Sequence, residues 1–394
     1  MRWLHTSDWQ IGKSFRFADD DTLAVLQNER LEVIVRLGRL ARAEGCAHVL
    51  VAGDVWDMAQ PSLRTLRQPV ERMRQFPDLC WHLIPGNHDP DAPGGPWERM
   101  NRDGWPSNVH AHLTPGAVRL DEEAPGAGVW LLPAPLGRRH AFGDPTAAMD
   151  GMGTPEGALR VGLAHGSIRA FGSDPATQPN LIALDRAARA GLGYLALGDW
   201  HGMRPVDARC FYSGTPEVDG FDRGGDGGGS ALVVSLDGAG AVPVVVPHRV
   251  GRFSWHREDA VLTDAAGVDA LERRLRALDE EDPSRVLAWL RVSGALTLGE
   301  RAAFDDRIRD GVGAALRVLR LDADRLELAP ADGELAEIGH SAALREAGAS
   351  LAARAADPAD PARDVARAAL LRLHLLHKHL PAEPRTRAAG ENRR

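Results

Sequence analysis

The sequence predicts an α/β protein on two observations: short apolar segments end in polar residues, and segments of helical periodicity alternate with them. Residues 2–7 form the first apolar segment, residues 19–44 have leucines and an isoleucine at helical spacing, and residues 47–53 are apolar again. This order predicts a strand–helix–strand unit whose two strands are parallel.

The remaining elements of the first 250 residues follow from the same two periodicities. Helices are predicted at 61–76 and 180–190, strands at 80–86, 109–112, 117–120, 129–133, 160–164 and 193–197, and antiparallel strands at 211–216, 231–236 and 242–247. Residues 137–158 are rich in glycine, proline and aspartate, and we expect them to form a long irregular insert.

A smaller α+β domain is predicted at 251–330, because the alternation continues there with shorter elements. Its strands are expected at 252–257, 286–292 and 316–321 and its helices at 264–278 and 299–313. The alanine- and leucine-rich sequence at 331–380 predicts two helices, separated by Asp357-Pro358-Ala359-Asp360-Pro361. We expect the first domain to span 1–250 and the tail 381–394 to be disordered.

The composition is that of a globular protein. No apolar run reaches the ~18 residues of a membrane helix, so we expect no membrane partner. Three scattered cysteines, Cys46, Cys80 and Cys210, favour a reducing, cytoplasmic setting. The net charge of −8 argues against unaided DNA binding, although an enzyme can also hold phosphates through metal ions.

Polar side chains follow five of the predicted strands. These residues are Asp8, Gln10, Asp54, Asn87, His88, His165, Asp199 and His201. Because ligands bind beyond the carboxyl ends of strands in α/β sheets, we expect these side chains to meet at one edge. Oxygen and imidazole donors of this kind bind divalent metals, and a pair of metals needs a bridging carboxylate, for which Asp54 is the candidate. Two metals ~3.5–4 Å apart can clamp the attacking and leaving oxygens of a displacement at phosphorus.

His88 is the candidate catalytic residue, because it follows the expected ligand Asn87 and can protonate a leaving oxygen. Asp57 is the candidate to orient His88, with a helix N-cap as the alternative. His5, His48 and His82 lie inside apolar strands, so we expect them to be packed or hydrogen-bonded.

The ordered motifs resemble those of the calcineurin-like metallophosphoesterases. The motifs are Asp8-x-Gln10, Gly53-Asp54-x-x-Asp57, Gly86-Asn87-His88-Asp89, His165-Gly166 and Gly198-Asp199-x-His201. The opening His5-Thr6-Ser7-Asp8-Trp9 and the later Tyr212-Ser213-Gly214-Thr215-Pro216 are similar to the SbcD branch, which contains DNA-repair nucleases of the meiotic-recombination type. The resemblance implies a four-layer α/β/β/α sandwich of two mixed sheets, then a capping domain and a helical segment that docks an SbcC-type ATPase.

The resemblance also implies how the ligands are shared. One metal would be held by Asp8, Gln10, Asp54 and His201, and the other by Asp54, Asn87, His165 and Asp199. The family has histidine at the positions of Gln10 and Asp199, and either residue could instead be a simple turn residue. The oxygen-rich donor set favours Mn²⁺, with Mg²⁺ as the alternative, and predicts weaker affinity at Gln10.

Substrate contacts are expected from two kinds of residue near these motifs. Arg138, Arg139 and Arg204 suit phosphate contact, with a solvated loop as the alternative. Trp9 and Trp200 could stack on a nucleobase or form a wall of the metal site. The lysine in Gly12-Lys13-Ser14 is not part of a nucleotide P-loop, because position 7 is serine and not the first glycine of that motif.

The sequence therefore predicts a manganese-dependent phosphodiesterase that acts on DNA as an exonuclease, with endonuclease activity left open, in DNA repair beside an SbcC-type ATPase. One alternative is a phosphoesterase for small nucleotides or phosphoproteins. The other is a DNA-end-binding scaffold subunit with weakened catalysis. A homodimer through residues 20–44 and 60–76 is also left open.

Overall fold

The computed structural model of the protein describes residues 1–121, 126–168, 179–221, 228–331, 333–337 and 342–379. The chain divides into two compact units, one from Met1 to Trp255 and one from His256 onward. The expected disordered tail, 381–394, lies outside the described residues. The domain boundaries near 250 and 330 stay predictions.

The strands are short in the first unit and longer in the second. In chain order they are β1 Arg2–Thr6, β2 His48–Val51, β3 Cys80–Leu83, β4 Val109–Ala111, β5 Val118–Arg119, β6 Val129–Ala134, β7 Leu159–His165, β8 Ser167–Ile168, β9 Leu181–Ile182, β10 Tyr194–Gly198, β11 Arg204–Pro205, β12 Cys210–Tyr212, β13 Ser230–Ser235, β14 Val244–Arg249, β15 Ser254–Leu262, β16 Val286–Leu296 and β17 Val318–Leu328.

The helices alternate with these strands. They are α1 Asp20–Ala43, α2 Leu63–Arg74, α3 Pro96–Asp103, α4 Arg186–Arg189, α5 Ala265–Arg276, α6 Leu298–Phe304, α7 Gly313–Ala315, α8 Glu334–Glu337, α9 Ala342–Ala356 and α10 Arg363–His379, with 3₁₀ turns at Ala147–Gly151 and Pro283–Arg285 and a π-helical stretch at Asp305–Val312. In the part of the chain that the structure describes, no helix is long and apolar enough to cross a membrane.

The first unit contains two six-stranded mixed sheets. The first sheet has the order β14-β13-β1-β2-β3-β4, in which β1 to β4 are parallel and β13 is antiparallel to both of its neighbours. The second has the order β11-β12-β10-β7-β6-β5, with parallel strands in the middle and antiparallel strands at both edges. Within the first unit, the α/β class and the pair of mixed sheets are therefore confirmed.

The two sheets pack face to face, since Trp3 of the first sheet and Val161 of the second belong to one buried apolar cluster. The outer face of the first sheet is covered by α1 and α2, where Ile34 and Val70 are buried in a separate cluster. The layers follow from the strand pattern, because successive side chains point to opposite faces and each face needs an apolar partner.

Two predicted elements of the first unit are wrong. A helix was expected at 180–190, but residues 181–182 pair with β8 as strand β9, so only the short helix α4 forms. Segment 211–216 was expected to be antiparallel, but β12 runs parallel to β10 and is antiparallel only to β11. In both cases long-range strand pairing overrides the local pattern.

In the second unit β15, β16 and β17 form a sheet with β16 in the middle, and β16 and β17 are parallel. The helices α9 and α10 are separated at 357–362, as the two prolines predict. Leu370 of α10 and Leu351 of α9 pack with Leu298 of α6, so these helices share a core with the α+β part of the unit.

Candidate metal centre

The expected ligands meet where strands of both sheets end. Asp8 and Gln10 follow β1, Asp54 follows β2, Asn87 and His88 follow β3, His165 ends β7, and Asp199 and His201 follow β10. Asp8, Asp54, Gln10 and His165 are almost wholly buried. The parallel strands of each sheet point their carboxyl ends to the same side, which brings residues so distant in sequence together.

Four of these residues have an unusual backbone. Among the described non-glycine residues, a positive φ occurs at Asp8, Gln10, Asp54, Asn180 and Asp199. Such conformations cost on the order of 1–3 kcal/mol each and persist where the surroundings enforce them. Here the Asp8 N–H donates to the carbonyl of Gly53 at 3.1 Å, and the Gln10 N–H donates to the carbonyl of Asp54 at 2.9 Å. These bonds tie the turns after β1 and β2 to each other, so the side chains point to one place.

Glycine next to the ligands is needed for close approach. A Cβ at Gly86 would lie 2.1 Å from Oδ1 of Asp54, and a Cβ at Gly198 would lie 1.9 Å from the carbonyl oxygen of Ala52. Neither contact is possible, because the atoms would overlap. Gly86 and Gly198, which precede Asn87 and Asp199 in the sequence, are thus required for the close packing of the centre.

His165 faces carboxylates on one side of the centre. Its Nε2 is 3.6 Å from Oδ1 of Asp54 and 3.8 Å from Oδ1 of Asp199. Burial opposes a charge on this ring, but the carboxylates, Asp54 first among them, raise the pKa of His165 to about 9. The Nδ1 of His165 donates to the carbonyl of Ala52 at 2.8 Å, so Nε2 is the atom directed at the centre.

The donor atoms of the centre fit a divalent cation. Asp8, Asp54 and His165 each offer one ligand atom, and these atoms lie within 4.8 Å of one another. Nε2 of His165 and Oδ1 of Asn87 are buried and have no hydrogen-bond partner among the described residues. Buried polar atoms are normally satisfied, so two unsatisfied atoms beside two carboxylates are the pattern that a bound metal ion would complete.

Asp199 is built into the centre through hydrogen bonds of both its backbone and its side chain. Its backbone N–H lies 3.2 Å from both carboxylate oxygens of Asp8. Its own carboxylate accepts from the hydroxyl of Ser167 at 2.5 Å and from the amide of Asn87 at 3.2 Å. Ser167 was not predicted; its position two residues after His165 was the available signal.

His201 lies on the other side of the centre. Its Nε2 is 3.8 Å from Oδ1 of Asp8 and 3.0 Å from Nε2 of Gln10. Its Nδ1 is 2.9 Å from Oδ2 of the buried Asp219. Burial would raise the pKa of Asp219, but the hydrogen bond with His201 and nearby cations hold it well below its usual range. Asp219 was not predicted, because it lies in an irregular segment without a motif.

His88 and Asp57 meet as expected. Nδ1 of His88 is 3.2 Å from Oδ1 of Asp57, and the backbone N–H of His88 donates to Oδ1 of Asp54 at 2.9 Å. The hydrogen bond with Asp57 raises the pKa of His88 above its ordinary value, against the effect of burial. The half-buried ring is therefore oriented beside the centre, and its higher pKa makes it a stronger base than a free imidazole.

Asp89 has a structural place beside this pair. Its buried carboxylate accepts from the backbone N–H of Gly86 at 2.7 Å and from that of Trp56 at 3.1 Å. Burial raises the pKa of this carboxyl group well above its usual range. Asp89 thus joins the loops after β2 and β3, as a buried carboxyl group with both oxygens satisfied.

The residues expected to contact substrate differ in exposure. Trp9 is fully buried and packs edge-on against Trp81, so of the two alternatives for this residue, stacking on a nucleobase does not fit the structure. Trp200 is 38% exposed, and the guanidinium carbon of Arg204 lies 5.6 Å from its ring centroid. Arg138 and Arg139 are exposed. Only the exposed members of this set can meet a ligand from solution.

Two comparisons with known proteins agree with this geometry. Residues 1–146 match the model of the calcineurin-like phosphoesterase family, a range that includes the turns after β1, β2 and β3. The first part of the chain is therefore similar to a calcineurin-like phosphoesterase domain. It is also 35% identical over 94 residues to the SbcD component of the SbcCD nuclease of Rhodobacter capsulatus, a stretch that covers 23% of this chain and 22% of that protein. The resemblance to the SbcD branch is thus supported over part of the length of that relative.

Proposed function

We propose that the protein is a metal-dependent phosphodiesterase that hydrolyses DNA, as an SbcD-like nuclease. The observation that supports this most is the pair of buried unsatisfied atoms, Nε2 of His165 and Oδ1 of Asn87, beside Asp54 and the oriented His88. This arrangement places a candidate cation site beside an imidazole that a carboxylate orients, and both groups can promote hydrolysis of a phosphodiester.

The metal ligands are proposed as two sets that share Asp54. Asp8, Gln10 and His201 complete one set, and Asn87, His165 and Asp199 complete the other. Bound divalent ions lower the pKa of water and offset the charge of the phosphoryl oxygens. The donors are mostly oxygen atoms, which favours Mn²⁺ or Mg²⁺ over Zn²⁺. Equal activation of metal-stripped protein by Zn²⁺ and Mn²⁺ would contradict this choice.

The chain itself contributes proton transfer and orientation. Water adds its oxygen to phosphorus and releases one proton to solvent. The bond from phosphorus to the leaving oxygen breaks with its electron pair on that oxygen, which takes a proton from His88, and solvent then returns a proton to His88. Asp57 holds the ring and offsets its charge at 3.2 Å. His88 thus acts as the general acid and Asp57 as a positioning residue.

DNA is proposed as the substrate because the relative from Rhodobacter capsulatus is a component of a nuclease. The exposed Trp200 and the partly buried Arg204 next to it offer a surface on which a base and a phosphate could both be held. We extend the proposal to exonuclease activity in DNA repair in the cytoplasm; endonuclease activity and a homodimer stay open predictions.

The substrate is tested with a panel measured in Mn²⁺. The panel contains single-stranded DNA, duplex DNA with free ends, cyclic nucleotides and bis-p-nitrophenyl phosphate. We expect DNA to be cleaved with the highest kcat/KM and Asn87→Ala to abolish cleavage, while His248→Ala on the edge strand β14 serves as a matched control. Preference for cyclic nucleotides would favour a small-nucleotide phosphoesterase, and DNA binding without cleavage would favour the scaffold alternative.

An SbcC-type ATPase is the proposed partner, and residues 331–380 are the proposed docking segment. In the described part of this segment, Val365 is 70% exposed and Leu376 is 50% exposed on α10. Exposed apolar side chains on one helix suit a protein partner. Val365→Glu combined with Leu376→Glu should abolish co-purification with the ATPase and leave diester hydrolysis intact, and retained co-purification would exclude this surface.

A further inference from the structure

A basic side chain, that of Lys13, lies on the Gln10 side of the centre. Its Nζ lies 2.6 Å from Oε1 of Gln10, 2.9 Å from Oδ2 of Asp219 and 3.9 Å from Oδ1 of Asp57. The Lys13 side chain is 21% exposed. Lys13 is one of only two lysines in the whole sequence, which otherwise uses arginine as its basic residue. An ammonium group therefore contacts the proposed ligand Gln10 and the acids that orient His201 and His88.

The backbone around Lys13 keeps the ammonium in place. The Lys13 N–H donates to the carbonyl of Gln10 at 3.1 Å, and the Lys13 carbonyl accepts from the side chain of Gln27 at 3.0 Å. The preceding Gly12 has a φ of 89°, and a Cβ there would lie 2.9 Å from Thr65. The turn after β1 thus presents Lys13 to the centre in a defined position.

Lys13 does more than neutralise Asp219. The guanidinium of the buried Arg30 already lies 3.6 Å from the same carboxylate oxygen. Only Lys13 of these two cations also contacts Gln10, whose amide oxygen is the atom that could coordinate a metal. The contact with Gln10 is therefore the feature of Lys13 that a purely structural ion pair does not explain.

We infer that Lys13 replaces part of the charge of the metal ion on the Gln10 side, the one that Asp8, Gln10 and His201 would share with Asp54. The centre then binds one divalent ion tightly through Asp54, Asn87, His165 and Asp199. At the Gln10 side the ammonium supplies a fixed positive charge and weakens binding of a second ion, because like charges repel at short range. This inference rests on the proposed metal centre and specifies how its two halves differ.

The test is calorimetric titration of Mn²⁺ into the full-length, metal-stripped protein. We expect the wild-type protein to bind one equivalent tightly and a second at least about tenfold more weakly, a range typical of changes next to metal ligands. Lys13→Met should strengthen the second equivalent by about tenfold or more, since it removes the repelling charge. Lys13→Arg should behave as the wild type, and Arg74→Met on the exposed end of α2 is the charge control.

The outcomes separate this inference from the proposed function. No tight Mn²⁺ equivalent in the wild type would overturn the metal centre itself. Two equally tight equivalents in the wild type, or a second equivalent unchanged by Lys13→Met, would overturn the role of Lys13 alone. If Lys13→Met does not fold, Lys13→Gln is titrated instead, and the wild-type isotherm decides between one and two tight ions in either case.

Discussion

Two groups of buried or partly buried histidines in the first unit have opposite electrostatics. In the centre, His165 faces carboxylates, and its pKa is raised to about 9. On the first sheet, His48, His82 and His112 form a row in which Nδ1 of His48 and Nε2 of His82 are 3.0 Å apart, as are Nδ1 of His82 and Nε2 of His112. Burial and the neighbouring rings lower the pKa of all three.

The difference shows that burial alone does not indicate a metal ligand. Burial lowers the pKa of any histidine, so what distinguishes His165 is the negative potential of Asp54, Asp8 and Asp199. A site of negative potential attracts cations, whereas the row on the first sheet is stabilised as neutral, stacked rings. Substitutions in both groups can establish whether this contrast holds.

The largest effect is expected for His165→Ala. Loss of this imidazole should lower kcat/KM for a phosphodiester by about a thousandfold, because several kcal/mol of charge stabilisation depend on the bound metal. His112→Gln, from the other group, should leave the specific activity unchanged. Steady-state kinetics in saturating Mn²⁺ check this, and similar losses in both variants would remove the distinction between the two groups.

The next effect concerns His88, a half-buried histidine that faces the carboxylate of Asp57. His88→Ala should lower kcat by about a hundredfold, the lower end of the range for a general acid, with little change in KM. Asp57→Asn should lower kcat less, because the ring remains but loses its orientation. A smaller loss on a substrate with a good leaving group, such as bis-p-nitrophenyl phosphate, supports proton donation; equal losses on all substrates would argue against it.

A third prediction concerns stability at acid pH. The pKa of His112 is lowered from 6.5 to about 4 by burial and by His110. The unfolded chain therefore takes up a proton as the pH falls from 6.5 towards 4 while the folded chain does not, so the free energy of unfolding falls over this window. In His112→Gln the free energy of unfolding should therefore fall by on the order of 2 kcal/mol less over this window than in the wild-type protein.

Urea unfolding followed by tryptophan fluorescence at pH 7.5 and 4.5 measures the difference. The wild-type protein and His112→Gln are compared at both pH values, so that protonation of other groups cancels. An equal loss of stability in the two proteins would show that the row does not resist protonation.

The smallest effect is expected at His201. Its Nε2 faces the centre, while its Nδ1 contacts a carboxylate outside the centre, that of Asp219. Asp219→Asn should weaken binding of the second, weaker Mn²⁺ equivalent by about tenfold. Loss of a residue that orients a metal ligand typically lowers metal affinity by at least this amount. The tight equivalent on the His165 side should not change. The same calorimetric titration measures both, and weakening of the tight equivalent would show that the two sides are not independent.

Much of the centre could be predicted because its residues follow strands in short, ordered motifs. Asp54 and Asn87 each follow a glycine at a strand end, and both positions are explained by close packing around them. Of the two alternatives for Trp9, stacking on a nucleobase does not fit, because its neighbours in sequence are proposed ligands while its own side chain is buried in the core. Sequence distance to a ligand does not reveal which face of a strand or turn a side chain occupies.

The sequence by itself determined the α/β class, the strand-end residues that gather at the centre and the histidines that belong to strands. These features depend on local periodicity and on turn chemistry, which short segments contain. Only the tertiary structure decided which partners tune the centre: Lys13 on Gln10, Ser167 on Asp199 and Asp219 on His201. Such partners depend on side-chain direction and on how separate turns pack against one another, and the charge balance of the two halves follows from that packing.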